Sequence, residues 1–220
     1  MTTPYSRWET LSARDLAEVC VSKNLTDEQR GEIANLLVGK ICDEESLAPL
    51  ALLFDCKKEV CQKTLTFVLS EIGPRAINGM EWLDDLMSSS NEWIRHYSIV
   101  GVQASGSLTH GMVAAKAIRA IGDVRSVRLA SLRFLANGHL PQIETAKPFL
   151  SGQFRRSVTQ LVDEDFEDIE RDLMGDDDAI SMIALARAQR LGWVVSPKLL
   201  ADRPALVDAA AWLNRVPLRS

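Results

Sequence analysis

Apolar residues recur at i, i+3, i+4 and i+7 along nearly the whole chain, and alternation over strand lengths is scarce. That period predicts an all-α protein of helices of roughly three to four turns joined by short links. The stretch "LTDEQRGEIANLLVGK" opens with Thr26 as an N-cap and carries Gln29 at the capping-box position, with Ile33, Leu36 and Leu37 on its apolar face. A short helix follows in "DEESLAPLALLF". Next, "KKEVCQKTLTFVLSEIG" runs Val60, Thr64, Phe67, Val68 and Ile72 along one face and ends at Gly73, a C-cap residue, before Pro74 starts "PRAINGMEWLDDLM". Further helices are predicted over 91–105, 107–121, 123–137, 141–150, 152–162, 163–174, 177–191 and 204–216, separated by Gly and Pro.

Three of these segments superpose. In "KEVCQKTLTFVLSEIG", "EWIRHYSIVGVQASG" and "SVRLASLRFLANG", Val60, Ile94 and Val127 coincide at spacings of 34 and 33 residues. Thr64, Ser98 and Ser131 coincide one turn on, and Val68, Val102 and Leu135 a further turn on. A small residue at the middle position lets a neighbouring helix approach, while the flanking aliphatics fill the seam. Each unit then leaves an apolar face that only the next unit covers, which is the logic of a stacked repeat. An Arg follows the first aliphatic in two of the units, as Ile94-Arg95 and Val127-Arg128. These arginines are expected to be structural, laying methylenes on apolar surface and bonding a carboxylate or carbonyl of an adjacent unit.

The apolar-Arg pair, the small residues after it and the aliphatics beyond (Asp123, Val127-Arg128, Ala130-Ser131 and Phe134-Leu135; Ile94-Arg95, Tyr97-Ser98 and Val102) resemble the HEAT-like helical repeat family. The resemblance covers about residues 56 to 138, and Cys61 stands in the first unit where the family has Arg. It extends loosely to 152–162 and 177–191, where Arg155 follows Phe154 but the spacing shrinks to 27 residues. What it implies is a right-handed HEAT-like α-solenoid of about five antiparallel helix pairs in a single domain, 1–220. Residues 1–42 would form N-terminal capping helices, 43–192 the repeats and 193–220 a C-terminal capping helix.

Composition narrows the function. Hydrophobic residues at 46% and charged residues at 25% belong to a folded globular chain, not a disordered one. The net charge of -5 argues against a general nucleic-acid binder, which needs surplus cations to displace phosphate counterions. No stretch approaches the run of about 18 apolar residues of a membrane span, and the N-terminus has no apolar core of signal-peptide length. A cytoplasmic protein without membrane contact is expected. Cys20, Cys42, Cys56 and Cys61 fit no zinc spacing. Cys56 and Cys61, five apart, are expected on different faces of a helix and pointing apart, with all four thiols reduced and mostly buried.

Catalytic motifs are missing. His96, His110 and His139 pair with no Glu or second His at metal-ligand spacing, so neither a metal nor a cofactor is expected. There is no GxSxG, P-loop or GxGxxG. One HEAT-like enzyme class, the DNA glycosylases of alkylated bases, uses Trp with Asp and Arg around an exposed base. Here Trp93 has Tyr97 where that Asp would stand, while Trp82 has Asp85 three residues on. A basic block from Lys116 to Arg156 holds eight Lys or Arg against Asp123 and Glu144, and reads as a solvated face together with the structural arginines.

The densest charge follows it. "DEDFEDIERDLMGDDD", residues 163–178, has ten carboxylates and one Arg, and the rest of the chain has 20 acidic and 24 basic residues. Phe166, Ile169 and Leu173 keep helical spacing through it, which predicts an amphipathic helix with its carboxylates outward. Asp176, Asp177 and Asp178 are placed at the start of the next helix, where its dipole favours them. Asp163, Glu164, Asp165, Glu167, Asp168, Asp176, Asp177 and Asp178 are the candidate contacts for a protein partner with a basic surface. The expected function is non-enzymatic protein binding, with a bacterial immunity-type inhibitor of a cationic toxin, such as a nuclease, as the leading reading. A HEAT-like DNA glycosylase and an adaptor subunit of a larger complex are the alternatives. The glycosylase alternative is tested directly. Duplex DNA at physiological salt is expected not to bind and no alkylated base to be released, whereas base excision lost on Asp85→Asn or Trp82→Ala would establish the enzyme.

Overall fold

The computed structural model describes residues 7–41, 48–72, 79–165, 167–200 and 202–215. All regular structure among them is helical, with no strand. The chain divides into two compact units, Met1–Ser105 and Gly106–Ser220. The first holds α1 (Ala13–Ser22), α2 (Asp27–Lys40), α3 (Ala48–Asp55), α4 (Glu59–Ile72), α5 (Gly79–Leu86) and α6 (Glu92–Ser105). The second holds α7 (Gly111–Arg119), α8 (Arg125–Asn137), α9 (Leu140–Ala146), α10 (Gly152–Val162), α11 (Ile169–Met174), α12 (Asp178–Arg190) and α13 (Pro204–Leu213), with 3-10 turns at Ala120–Gly122, Lys147–Phe149 and Pro197–Leu200.

Local chemistry sets the helix starts. Thr26 and Gln29 close a reciprocal capping box on α2, as their spacing predicts: the Gln29 amide donates to Thr26 Oγ1 at 3.2 Å and the Thr26 amide to Gln29 Oε1 at 3.1 Å. Ser12 and Asp15 do the same for α1. The end of α12 is equally local. Gly192 takes the left-handed φ of 72°, and the Trp193 amide turns back onto the Ala188 carbonyl at 2.8 Å. The proposed C-cap at Gly73, Pro74 after it, and Cys42 lie outside the described residues.

In the first unit α1 packs on α2 and α3, α2 on α4, α3 on α4, and α4 on α5 and α6, with α5 against α6. The helices come close at Gly101 on α6, where a Cβ would reach 3.0 Å from a Leu83 methyl on α5 and 3.5 Å from the Leu69 carbonyl on α4. In the second unit α7 packs on α8 and α9, α9 on α10, and α12 lies against α8, α10, α11 and α13. Ile180, Met182, Ile183, Ala184, Leu185, Ala186 and Ala188 of α12 are all buried, which makes it the centre of that unit.

The repeated small positions are buried in all three segments. Thr64, Ser98 and Ser131 are each 0% exposed. A hydroxyl without water needs an acceptor, and each has one. Thr64 Oγ1 donates to the Val60 carbonyl at 2.9 Å and Ser98 Oγ to the Ile94 carbonyl at 2.7 Å, both within their own helices. Ser131 Oγ instead donates across to the Ile118 carbonyl of α7 at 3.0 Å, tying α8 to its neighbour. The flanking Val68, Val102 and Leu135 are fully buried.

Arg95 is half-buried and donates Nη1 to the carbonyls of Ser89 and Ser90, at 2.9 and 3.1 Å. It therefore fastens the link just ahead of its own helix. Arg128, also half-buried, helps hold the Asp208 carboxyl below the usual carboxylate range, behind the larger effect of the bidentate pair that Arg125 makes with Asp208 at 2.8 Å. Replacing Ser131 with Leu is expected to destabilise the protein by about 1–3 kcal/mol, since it overfills the α7–α8 contact and removes the bond to Ile118. Chemical denaturation is the measurement, and an unchanged midpoint would place Ser131 outside that contact.

Candidate functional site

The acidic segment joins α10 to α12 in the second unit, and its first half is not the helix its spacing predicts. Residues 163–164 and 167–168 form turns, and of the segment before Gly175 only Ile169–Met174 is helical. Glu164 and Asp168 adopt left-handed backbone, with φ of 52° and 65°. The cause is electrostatic and local. A helix through 163–168 would stack Asp163, Glu164, Glu167 and Asp168 at i,i+3 and i,i+4, where like charges repel. The Asp165 carboxylate accepts the Glu167 amide at 2.8 Å and so offers the backbone a turn in place of a helix. Ile169 and Leu173 are buried as expected, and Phe166 lies outside the described residues.

What holds this loop is cationic, and it comes from distant helices. Arg187, in the middle of α12, is only 1% exposed. Its Nη1 donates to Asp172 Oδ2 at 3.2 Å and to Gln160 Oε1 at 3.1 Å, and its Nη2 to the Glu167 carbonyl. Burial pulls the Arg187 guanidinium down from its ordinary value, and Asp172 is the first of the carboxylates that oppose this. Arg203, beside the start of α13, donates to Asp178 Oδ1 at 2.6 Å, to the Leu173 carbonyl at 3.0 Å and to the Gly175 carbonyl. Arg190 bonds the Leu135 and Gly138 carbonyls at the end of α8, and burial pushes its guanidinium down to about 10, still charged at neutral pH.

These contacts divide the eight candidate residues. All lie at the surface, Asp165 half-exposed and the others exposed. Asp168 is engaged by Arg171 at 2.5 Å and Arg156 at 3.5 Å. Asp178 is held by Arg203, and Asp163 stands 3.9 Å from Lys147. Asp177 is the N-cap of α12, accepting the amides of Ala179 and Ile180 at 2.9 and 3.2 Å, in keeping with its expected place at a helix start. Asp165 serves its own turn. Glu164, Glu167 and Asp176 carry no ion pair among the described residues, and neither does Glu170, which was not among the eight.

Two concavities border these carboxylates. A cleft of about 360 Å³ is lined by Gln153, Arg171, Asp172, Gly175, Asp176, Asp177 and Ile180. A second, of about 250 Å³, is lined by Glu170, Leu173, Met174, Val195, Leu199 and Leu200, and is apolar apart from Glu170. Met174 and Leu199 on its wall are 65% and 66% exposed. Sequence reading passed over this groove because Met174 and Leu199 are 25 residues apart and each looks like an ordinary core position. The signal for Arg187 was available: a lone Arg inside "AISMIALARAQ" repeats the pattern of an arginine within a core-like run.

Other chemistry does not converge. Among the described residues no group of three or more His, Cys, Asp or Glu could hold a metal ion. His110 Nδ1 shares hydrogen bonds with Ser107 and Thr109 at the start of α7, and His96 lies edge-on to Tyr97. Phe54 stacks on one face of Trp82 at 5.2 Å, and Trp93 packs on Tyr97 at 4.1 Å. Comparison with protein-family models, curated proteins and solved structures finds no match for this chain.

Arg187→Ala would leave the buried Asp172 with only the exposed Arg171, at 3.5 Å, as a charge partner and release the Glu167 carbonyl. Denaturant unfolding is expected to show a loss of about 3–5 kcal/mol, most of it recovered by combining Arg187→Met with Asp172→Leu. A single variant as stable as the parent would show that the loop does not depend on this guanidinium.

Proposed function

We propose that the chain is a non-enzymatic protein-binding domain whose second unit takes a partner with a basic surface. The observation that carries this reading is the adjacency of unpaired carboxylates and an open apolar groove around α11. Glu170 belongs to both, and Met174 leads from one to the other. Protein interfaces combine an apolar centre with a polar rim in this way. Rim carboxylates that make no ion pair are available to steer a cation-rich partner and select it by charge.

Within that class, an immunity-type inhibitor of a cationic toxin is the role we favour. Such an inhibitor needs a dense anionic surface, and nine of the ten carboxylates of 163–178, all but the buried Asp172, lie at the surface. The scaffold reading that goes with it is HEAT-like. Its support is the packing of α1 on α3, α2 on α4, and α4 on α6, together with the buried small residue at Thr64, Ser98 and Ser131. The central place of α12 against four other helices departs from a regular stack.

The test uses the partner recovered from the native host. Glu164→Gln, Glu167→Gln, Glu170→Gln and Asp176→Asn combined are expected to lower the association rate about tenfold at low salt and to flatten its salt dependence, with circular dichroism unchanged. Met174→Ser with Leu199→Ser is expected to raise the dissociation rate instead. Unaltered association by the neutralised chain at low salt would reduce the acidic surface to a solvated face. The inhibitor role further requires that the partner be toxic when expressed alone and harmless when co-expressed with this chain.

A further inference from the structure

Cys56 and Cys61 are expected to point apart if both sit on one helix, but they do not. Cys56 follows α3 by one residue, its amide still bonded to the Leu52 carbonyl at 3.2 Å, whereas Cys61 lies in the first turn of α4. Between them the chain turns a corner at Lys58, whose carbonyl accepts the amides of Cys61 and Gln62 at 3.0 and 3.1 Å. The corner carries Cys61 Sγ to 2.6 Å from Cys56 Sγ. That is only about 0.5 Å more than the length of a disulfide bond. Cys61 is fully buried and also faces the Cys20 carbonyl of α1 at 3.7 Å, while Cys56 is half-buried and reaches solvent.

We propose that Cys56 and Cys61 form a redox modification site, in which a hydroperoxide converts the two thiols into an intramolecular disulfide. The asymmetry of the pair assigns the steps. Burial, and then the S–H bond to Cys56, push the Cys61 thiol up to about 12, and burial pushes Cys20 up to about 11. Both are therefore protonated and shielded, and Cys56 is the sulfur that an oxidant meets. Cys56 Sγ, having lost its proton, attacks the outer oxygen of hydrogen peroxide. The O–O bond breaks, and the hydroxide that leaves takes up that proton as water. Cys56 is left as a sulfenic acid. Cys61 Sγ then attacks the Cys56 sulfur, the S–O bond breaks, and the second oxygen departs as water with the Cys61 proton. Two thiols and one peroxide give one disulfide and two waters, with two electrons passing from sulfur to oxygen. A dithiol reductant reverses the change by exchange. The bond closes the corner between α3 and α4 in the first unit.

The experiment treats the reduced full-length protein with one equivalent of hydrogen peroxide, blocks the remaining thiols with iodoacetamide in denaturant, and maps tryptic peptides without reduction. Cleavage after Lys57 and Lys58 separates the two cysteines, so the bond appears as a linked pair of peptides, and fragmentation distinguishes Cys56 from Cys42 on the longer one. The expected result is loss of two of the four thiols, a Cys56–Cys61 link, and formation at least about tenfold faster in the folded protein than in urea, because the fold holds the sulfurs together. Cys56→Ser should retain three free thiols under the same treatment. Cys61→Ser should accumulate a sulfenic acid at Cys56 that a 1,3-dione traps. A link from Cys20 or Cys42, a disulfide between chains, or no faster reaction in the folded state would overturn the assignment. The mapping of the parent protein decides the matter even if a cysteine variant fails to fold.

Discussion

The second unit is organised around one buried charge. Arg187 lies on the central helix α12, nearly without exposure, in a run that is otherwise aliphatic and small. A guanidinium in such a place is costly unless its donors are met; Nη1 and Nη2 are met by Asp172 of α11, the Gln160 side-chain oxygen of α10 and the Glu167 carbonyl of the acidic loop, while the buried Nε has no partner. The dependence is mutual. The loop between α10 and α11 has too many carboxylates to fold as a helix and too few apolar residues to bury itself. Arg187 fastens its Glu167 carbonyl, and Arg203 fastens the far end of α11 through the Leu173 and Gly175 carbonyls.

That arrangement sorts a crowded acidic sequence into two populations. Carboxylates near the clamps, Asp172 and Asp178, are consumed in holding the loop, and Asp177 is consumed as a helix cap. Those displaced from the clamps, Glu164, Glu167, Glu170 and Asp176, are left to solvent. Met174, the last residue of the six-residue α11, is exposed and shares the groove with Leu199, and Glu170 lies on the same groove. A segment that would be a uniform solvated face on a long helix thus becomes a charged rim beside an apolar groove. The basic block is absorbed in a similar way. Arg125 pairs with Asp208, Arg156 with Asp168, and Arg119 with the Phe149 carbonyl, so part of it is engaged within the fold.

Helices and their ends were legible in the chain because the forces that set them are local. The 3.6-residue period, the Thr26–Gln29 capping box and Asp177 at a helix start each depend on neighbours within a turn. The buried small residues were legible too, since their recurrence at Thr64, Ser98 and Ser131 reports a constraint that three segments share. The reading went astray where like charges outweighed period, at residues 163–168. It also failed where a helix boundary moved, since placing Cys56 outside α4 reversed the inference about which way its sulfur points.

By itself, then, the sequence determined the helical class of the described residues, the caps at Thr26 and Asp177, the small buried positions on α4, α6 and α8, and a surface on which acidic residues collect. Tertiary structure alone decided which of those carboxylates are free, that an apolar groove lies beside them, and that two thiols five residues apart meet. The physical reason is range. Period and capping act within one turn of chain, whereas the choice among carboxylates is made by Arg187 and Arg203, at 15 and 25 residues from their partners Asp172 and Asp178. No local pattern encodes the distance at which a buried charge finds its counter-ion.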